Sequence, residues 1–133
     1  MKRCSMMMMV AVLCAAPWAG GCASVYPAQQ DPIATPPQIM MESPWLKDHV
    51  LVQQVAVSRV GAGQLDVHVP LHNVTSDLVI IDYQYTFLGA NGAQSEQPSG
   101  WHDLRIPPKG YADAHFTSMT PASDFRMQIR NRQ

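Results

Sequence analysis

Strict apolar/polar alternation recurs in three separate stretches of this 133-residue chain, and it restricts the fold more than any other feature. Leu65, Val67, Val69 and Leu71 alternate with Asp66, His68, Pro70 and His72. Val79, Ile81, Tyr83, Tyr85 and Phe87 alternate with Ile80, Asp82, Gln84, Thr86 and Leu88. Phe125, Met127 and Ile129 alternate with Arg126, Gln128 and Arg130. Side chains of a strand point to opposite faces in turn, so a period of two marks a strand with one face in the core.

Three further segments complete the set of expected strands: 50–60, 101–106 and 111–119. Turn residues separate them, at Gly61-Ala62-Gly63, 73–77, Gly89-Ala90-Asn91-Gly92, Pro107-Pro108-Lys109-Gly110 and 121–124. Glycine, asparagine and proline bend a chain there for backbone reasons. No stretch after residue 45 carries a 3.6-residue stripe. Six or seven short strands with such turns predict an all-β domain, a small antiparallel Ig-like β-sandwich over residues 46–133. Pro70 has no N–H to give to a ladder, so its strand is expected at an edge or with a bulge.

The first 45 residues read differently. Lys2 and Arg3 precede an apolar run from Met6 to Ala16, closed by Trp18-Ala19-Gly20-Gly21-Cys22. That is the order of a secretory leader. The apolar run is far shorter than the ~20 residues a membrane span needs, and Pro17 and two glycines interrupt it. Cys22 directly after two small residues looks like a bacterial lipobox, with Ala19 where leucine is usual. Residues 1–21 are thus expected to be a lipoprotein signal peptide and Cys22 the lipidated residue; ordinary cleavage after a nearby alanine is the alternative. Ala23, rather than aspartate, after the anchor fits export to the outer membrane. Prolines 27, 32, 36, 37 and 44 make residues 22–45 a semi-rigid tether, the 22 residues from Ala23 to Pro44 spanning at most ~70 Å. The other reading is an arm lying along the domain, docking at Trp45 and Leu46.

Composition narrows the function classes. All ten acidic residues follow Cys22, and two of the nine lysines and arginines precede it, so the mature net charge is near −3. That gives no basic field for nucleic acid. Five of nine methionines leave with the leader, as do Cys4 and Cys14. The mature chain has one cysteine, so no intramolecular disulfide can form and the core alone must hold the fold.

Several motifs carry a family likeness: Asn73-Val74-Thr75-Ser76, Tyr83-Gln84-Tyr85-Thr86-Phe87, Gly89-Ala90-Asn91-Gly92, Trp101, Leu104-Arg105-Ile106-Pro107-Pro108-Lys109-Gly110 and Thr120-Pro121-Ala122-Ser123-Asp124-Phe125-Arg126-Met127. With the lipobox, these resemble the YcfL-like family of bacterial envelope lipoproteins. Phe87 stands where that family often has Trp, and Gly89 where it often has Asp. The resemblance implies a small Ig-like sandwich on a lipid anchor, with no assigned biochemical activity. Some relatives are encoded beside a lipoprotein activator of penicillin-binding proteins, which implies a link to cell-wall synthesis.

Candidate chemistry is sparse. Asp66, His68 and His72 share a strand face, but His68 and His72 stand ~13 Å apart and cannot ligate one ion together. Asp66 and His68 can converge only with a third ligand from elsewhere, His115 being the candidate; the expectation is a solvated strand face and no metal site. Ser99 beside His102-Asp103 lacks a nucleophile elbow, and neighbouring residues of a strand point apart, so no catalytic group is expected. No cofactor motif occurs. Tyr83, Tyr85, Phe87 and Trp101 are expected in the core, Trp101 having a second use as the wall of a peptide or glycan groove if exposed. Arg126, Arg130 and Arg132 line one face of the last strand, either as a soluble, edge-protecting surface or as a site for an acidic partner, lipid headgroups or peptidoglycan carboxylates.

The sequence thus predicts a lipid-anchored outer-membrane protein facing the periplasm. Its sandwich is expected to be a non-catalytic binding or accessory module, with a periplasmic protein or peptidoglycan as partner. The alternative is a structural lipoprotein subunit of a multiprotein envelope or secretion complex.

Overall fold

A computed structural model describes residues 35–132; the leader, Cys22 and the tether as far as residue 34 lie outside the described residues. In chain order the elements are β1 (Ile39–Met41), α1 (Pro44–His49), β2 (Val50–Val52), β3 (Ala56–Val60), β4 (Gln64–Asn73), β5 (Val79–Leu88), β6 (His102–Ile106), β7 (Tyr111–Pro121) and β8 (Asp124–Asn131). They form a β-sandwich of two sheets. One sheet runs β1-β8-β5-β6. In the other, β4 pairs with β7 along one edge, while β3 and β2 pair with successive halves of its length.

The period-two pattern sorts residues as expected. Leu65, Val67, Val69 and Leu71 of β4 face Val79, Ile81 and Phe87 of β5 and Phe125, Met127 and Ile129 of β8 across one buried cluster. Phe116 of β7 crosses the gap between sheets. It stacks on Tyr85 at 4.2 Å between centroids and meets Phe87 and Phe125 edge-on, each at 5.8 Å. Such pairs add ~0.5–1.5 kcal/mol each beyond the area they bury, which matters in a core without disulfides.

Four features differ from the sequence-based expectation. The chain joins the fold before Trp45: Ile39 and Met41 are buried, and β1 runs parallel to β8, so that edge is not antiparallel. The amide of Met127 donates to Gln38 O at 2.8 Å and that of Glu42 to Ile129 O at 3.0 Å. Residues 39–45, assigned to the tether, are therefore part of the domain. Second, Pro44–His49 form a helical turn, with Pro44 at its start, where no backbone donor is needed, and Leu46 as its buried anchor. Six residues are too few to display a helical stripe. Third, the expected strand over 50–60 is two strands with a break at 53–55.

Fourth, Pro70 lies in a strand paired on both sides, not at an edge. Its carbonyl accepts from the Gln53 amide at 2.9 Å, so its backbone polar groups point toward the β2/β3 side. A residue's N–H and C=O leave a strand on the same side. The missing donor therefore faces the break between β2 and β3, where no ladder bond is lost.

One buried polar side chain joins the loops at the end of the sandwich. Asn73 closes β4 with no exposed surface. Its Nδ2 donates to the carbonyls of Asp77 (2.7 Å), Pro107 (3.1 Å) and Ile106 (3.2 Å), and its Oδ1 accepts from Thr75 N (2.8 Å) and Thr75 Oγ1 (2.7 Å). The amide thus ties the β4–β5 turn to the β6–β7 turn. Lys109 of the second turn, at φ 52°, sends its amide to Thr75 O and its ammonium to Val74 O. Gly110 follows because a Cβ there would stand 2.6 Å from the Pro107 ring.

Removing the Asn73 amide strands buried backbone carbonyls and a backbone N–H. Asn73→Ala should cost more than about 3 kcal/mol in urea denaturation. Asn73→Asp, which turns an acceptor toward three carbonyls, should be at least as damaging at neutral pH. An unchanged midpoint for both would show that the turns hold without it.

Candidate functional site

The two outer faces of the sandwich carry different chemistry. On the β1-β8-β5-β6 sheet, register places Arg126 opposite Thr86, Gln128 opposite Gln84 and Arg130 opposite Asp82. Asp82 is in turn opposite Asp103 on β6. Two carboxylates face one another here, and the arginines neutralise them. Arg130 donates to Asp82 Oδ2 through Nη2 at 3.3 Å and Nε at 3.4 Å, and Arg132 lies 3.8 Å from Asp103. Of the three expected arginines, Arg126 alone has no carboxylate within ion-pair reach among the described residues.

Trp101 is not in the core. It is 39% exposed, just before β6, and the Arg130 guanidinium lies 3.9 Å above its ring. Tyr83 and Phe87 are buried as expected, and Tyr85 is half-buried. Two open recesses flank this surface. One, ≈ 660 Å³, is lined by Glu42, Ser43, Asp82, Arg130, Asn131 and Arg132. The other, ≈ 470 Å³, includes Gln84, Gln94, Pro98, Arg126 and Gln128. The predicted quartet of Trp101, Arg126, Arg130 and Arg132 is thus brought to one face, with less free positive charge than the sequence suggests.

On the opposite face of the sandwich, β4 and β7 bring together residues far apart in sequence. His68 is the register partner of His115, and Asp66 of Thr117. Even-numbered residues of β4 turn their backbone groups toward the β2/β3 side, so His68 and His115 form a non-hydrogen-bonded pair, in which side chains lie closest. Their rings stack at 4.0 Å with 5° between planes. His115 Nε2 lies 2.8 Å from Asp66 Oδ1, Thr117 Oγ1 donates to the same oxygen at 2.6 Å, and His68 Nδ1 lies 2.6 Å from Asp113 Oδ2. His72 is apart from the group, stacked on Tyr111 at 4.3 Å. Spacing along β4 alone could not reveal the convergence. His115 is already the candidate third ligand; the overlooked signal is its setting in β7, where Asp113, His115 and Thr117 alternate with Ala112, Ala114 and Phe116 and so share a face.

Hydrogen bonds from Thr117 and His115 hold the Asp66 carboxyl below its ordinary value near 3.8. The hydrogen bond to Asp113 raises the His68 imidazole above its ordinary 6.5, against partial desolvation. The remaining serine candidate does not join a catalytic set: Ser99 Oγ accepts from the Tyr85 amide at 2.9 Å and donates to Gly100 O. His102 stacks instead on Tyr83 and Tyr85.

The signs of these shifts fix a pH window. A raised histidine contributes stability below its unfolded value and loses it as pH climbs through the folded one. A depressed carboxylate contributes above its unfolded value and loses it as pH falls through the folded one. Both contributions overlap between about pH 4 and 6.5. With chelator present, the difference in melting midpoint between the native chain and His68→Gln should be largest in that window and shrink above it. A difference that grows toward pH 8 would contradict the assignment.

Residues 37–131 match the family described as a protein of unknown function, DUF1425. No curated protein matches the chain. The crystal structure of Campylobacter jejuni cj0090 is similar at TM-score 0.60 and 19% identity, over 71% of this chain and 98% of that one. A DUF1425 family member from Shewanella sp. pv-4 is similar at TM-score 0.55 and 21% identity, over 63% of this chain and 79% of that one. At such identities the likeness is one of fold. The family match, in contrast, runs from just ahead of β1 to the end of β8 and takes in the Asn73 turn, so the chain belongs to the DUF1425 family.

Proposed function

We propose that the protein is a YcfL-like lipoprotein, anchored in the outer membrane through Cys22 and facing the periplasm, whose sandwich is a non-catalytic binding module in cell-wall synthesis. The observation that carries the binding role is the exposed Trp101 under Arg130, on a sheet face where Arg130 and Arg126 each line an open recess. A solvent-facing tryptophan braced by a guanidinium resembles the aromatic and arginine anchors that dominate protein interfaces. Arg126 adds one unneutralised cation to the same face. The partner this face fits is a protein or peptidoglycan fragment offering a flat apolar group beside a carboxylate. Anchoring rests on the lipobox sequence ending at Cys22.

Cross-linked affinity capture of the full-length protein from bacterial envelopes tests both parts. Cys22→Ala should leave the protein unprocessed or soluble and lose position-dependent partners. Trp101→Ala and Arg126→Glu should each reduce capture of a specific partner by about tenfold or more, the loss of a ~1.4 kcal/mol anchor. Full capture by the Trp101 variant would remove this face from the function. Co-fractionation in a large assembly of fixed stoichiometry would identify a structural subunit of an envelope machine instead.

A further inference from the structure

We infer that Asp66, His68 and His115, on the outer face of β4 and β7, form a binding site for a divalent transition-metal ion of the zinc class. The site is independent of the Trp101 surface, which lies on the opposite side of the sandwich. One ligand atom from each of the three residues lies within 4.8 Å of the others. Imidazole and carboxylate donors together suit zinc, copper(II) and nickel(II) rather than calcium or magnesium.

The hydrogen-bond pattern supports ligation more specifically than proximity does. Asp113 accepts from His68 Nδ1 at 2.6 Å, which fixes the tautomer and leaves Nε2 with its lone pair. A carboxylate behind a histidine is the usual outer support of a metal ligand. Thr117 and His115 both engage Asp66 Oδ1, so Oδ2 is the free oxygen. That oxygen and His68 Nε2 face one another at 3.5 Å. With metal–ligand bonds of 2.0–2.2 Å, two ligands of a tetrahedral ion stand about 3.3–3.5 Å apart, so this edge already has the required length. His115 Nε2, which donates to Asp66 Oδ1, completes the set by giving up that proton and turning to the ion, while Thr117 keeps Oδ1 in place. Any proton on either imidazole leaves to solvent as the ion binds.

Three protein ligands on an exposed sheet leave a fourth position for water or for a donor from a partner. The ligands come from two strands whose register is fixed by the core behind them, since Val67 and Val69 alternate with His68 on β4, and Ala114 and Phe116 flank His115 on β7. The site is therefore held by packing rather than by a loop.

Calorimetric titration of the full-length protein with zinc chloride, in a background with Cys4, Cys14 and Cys22 all replaced by alanine so that no thiol competes for the ion, tests this. Saturable uptake of one ion per chain is expected, with cobalt(II) giving the intense visible bands of a four-coordinate complex. His68→Ala, His115→Ala and Asp66→Ala should each abolish saturable uptake, and Asp113→Asn should weaken it ~10–100-fold. His72→Ala, on the same face but outside the set, should bind as the parent does. In the unsubstituted protein, zinc should shift the ring nitrogen resonances of His68 and His115 and leave those of His72 in place, a readout independent of how any variant folds. No uptake, uptake that survives His68→Ala and His115→Ala, or unshifted His68 and His115 resonances would overturn the site.

Discussion

The buried amide of Asn73 is the interaction on which the two-sheet arrangement depends most. It stands where β4 leaves one sheet and the chain crosses to β5 in the other, and it also reaches the carbonyls that end β6. Its two N–H groups are shared among three carbonyls, its oxygen takes two donors, and the side chain itself has no exposed surface. A hydrophobic core can hold two sheets together, but it is non-directional and sets neither their offset nor the course of the turns. A satisfied polar group at the rim supplies that direction, because any other placement leaves backbone groups unpaired. Gly110 and the left-handed Lys109 are consequences of the same constraint, since the β6–β7 turn must come close enough to be reached.

Once the sheets are fixed, each outer face acquires its chemistry from register. On the β1-β8-β5-β6 face, pairing sets Asp82 against Asp103, and like charges directly opposite would repel. Arg130 and Arg132 answer them from β8, so part of what looks like a basic stripe is internal neutralisation. What is left to face a partner is Trp101, which Arg130 braces, and Arg126. On the β4–β7 face the same rule brings two histidines and two aspartates into a compact group, the stacked rings each within reach of a carboxylate. A slightly acidic chain thus presents an aromatic and arginine surface on one side and a histidine and carboxylate surface on the other.

Much of this was legible in the residues. Alternation in β4, β5 and β8 predicted both strands and facing, and the turn residues predicted the breaks between them. The misses share a cause. α1 is six residues long, too short for its period to show. β1 is three residues in a proline-rich stretch, and it becomes a strand only because β8 offers it a parallel edge. Pro70 read as marking an edge or a bulge because its tolerance depends on a break in a neighbouring strand. Trp101 read as core because a strand pattern counts apolar residues without knowing which face the adjoining loop will present.

The sequence by itself determined the all-β class, the faces of the long strands and the arginines of β8, because these follow from periodicity within single segments. Only the tertiary structure decided that Arg130 stacks on Trp101 and that His68 meets His115. Those pairs join segments 29 and 47 residues apart, measured along the chain. Which residues oppose one another across a ladder depends on register, and register is set by the core and by the turns tied at Asn73.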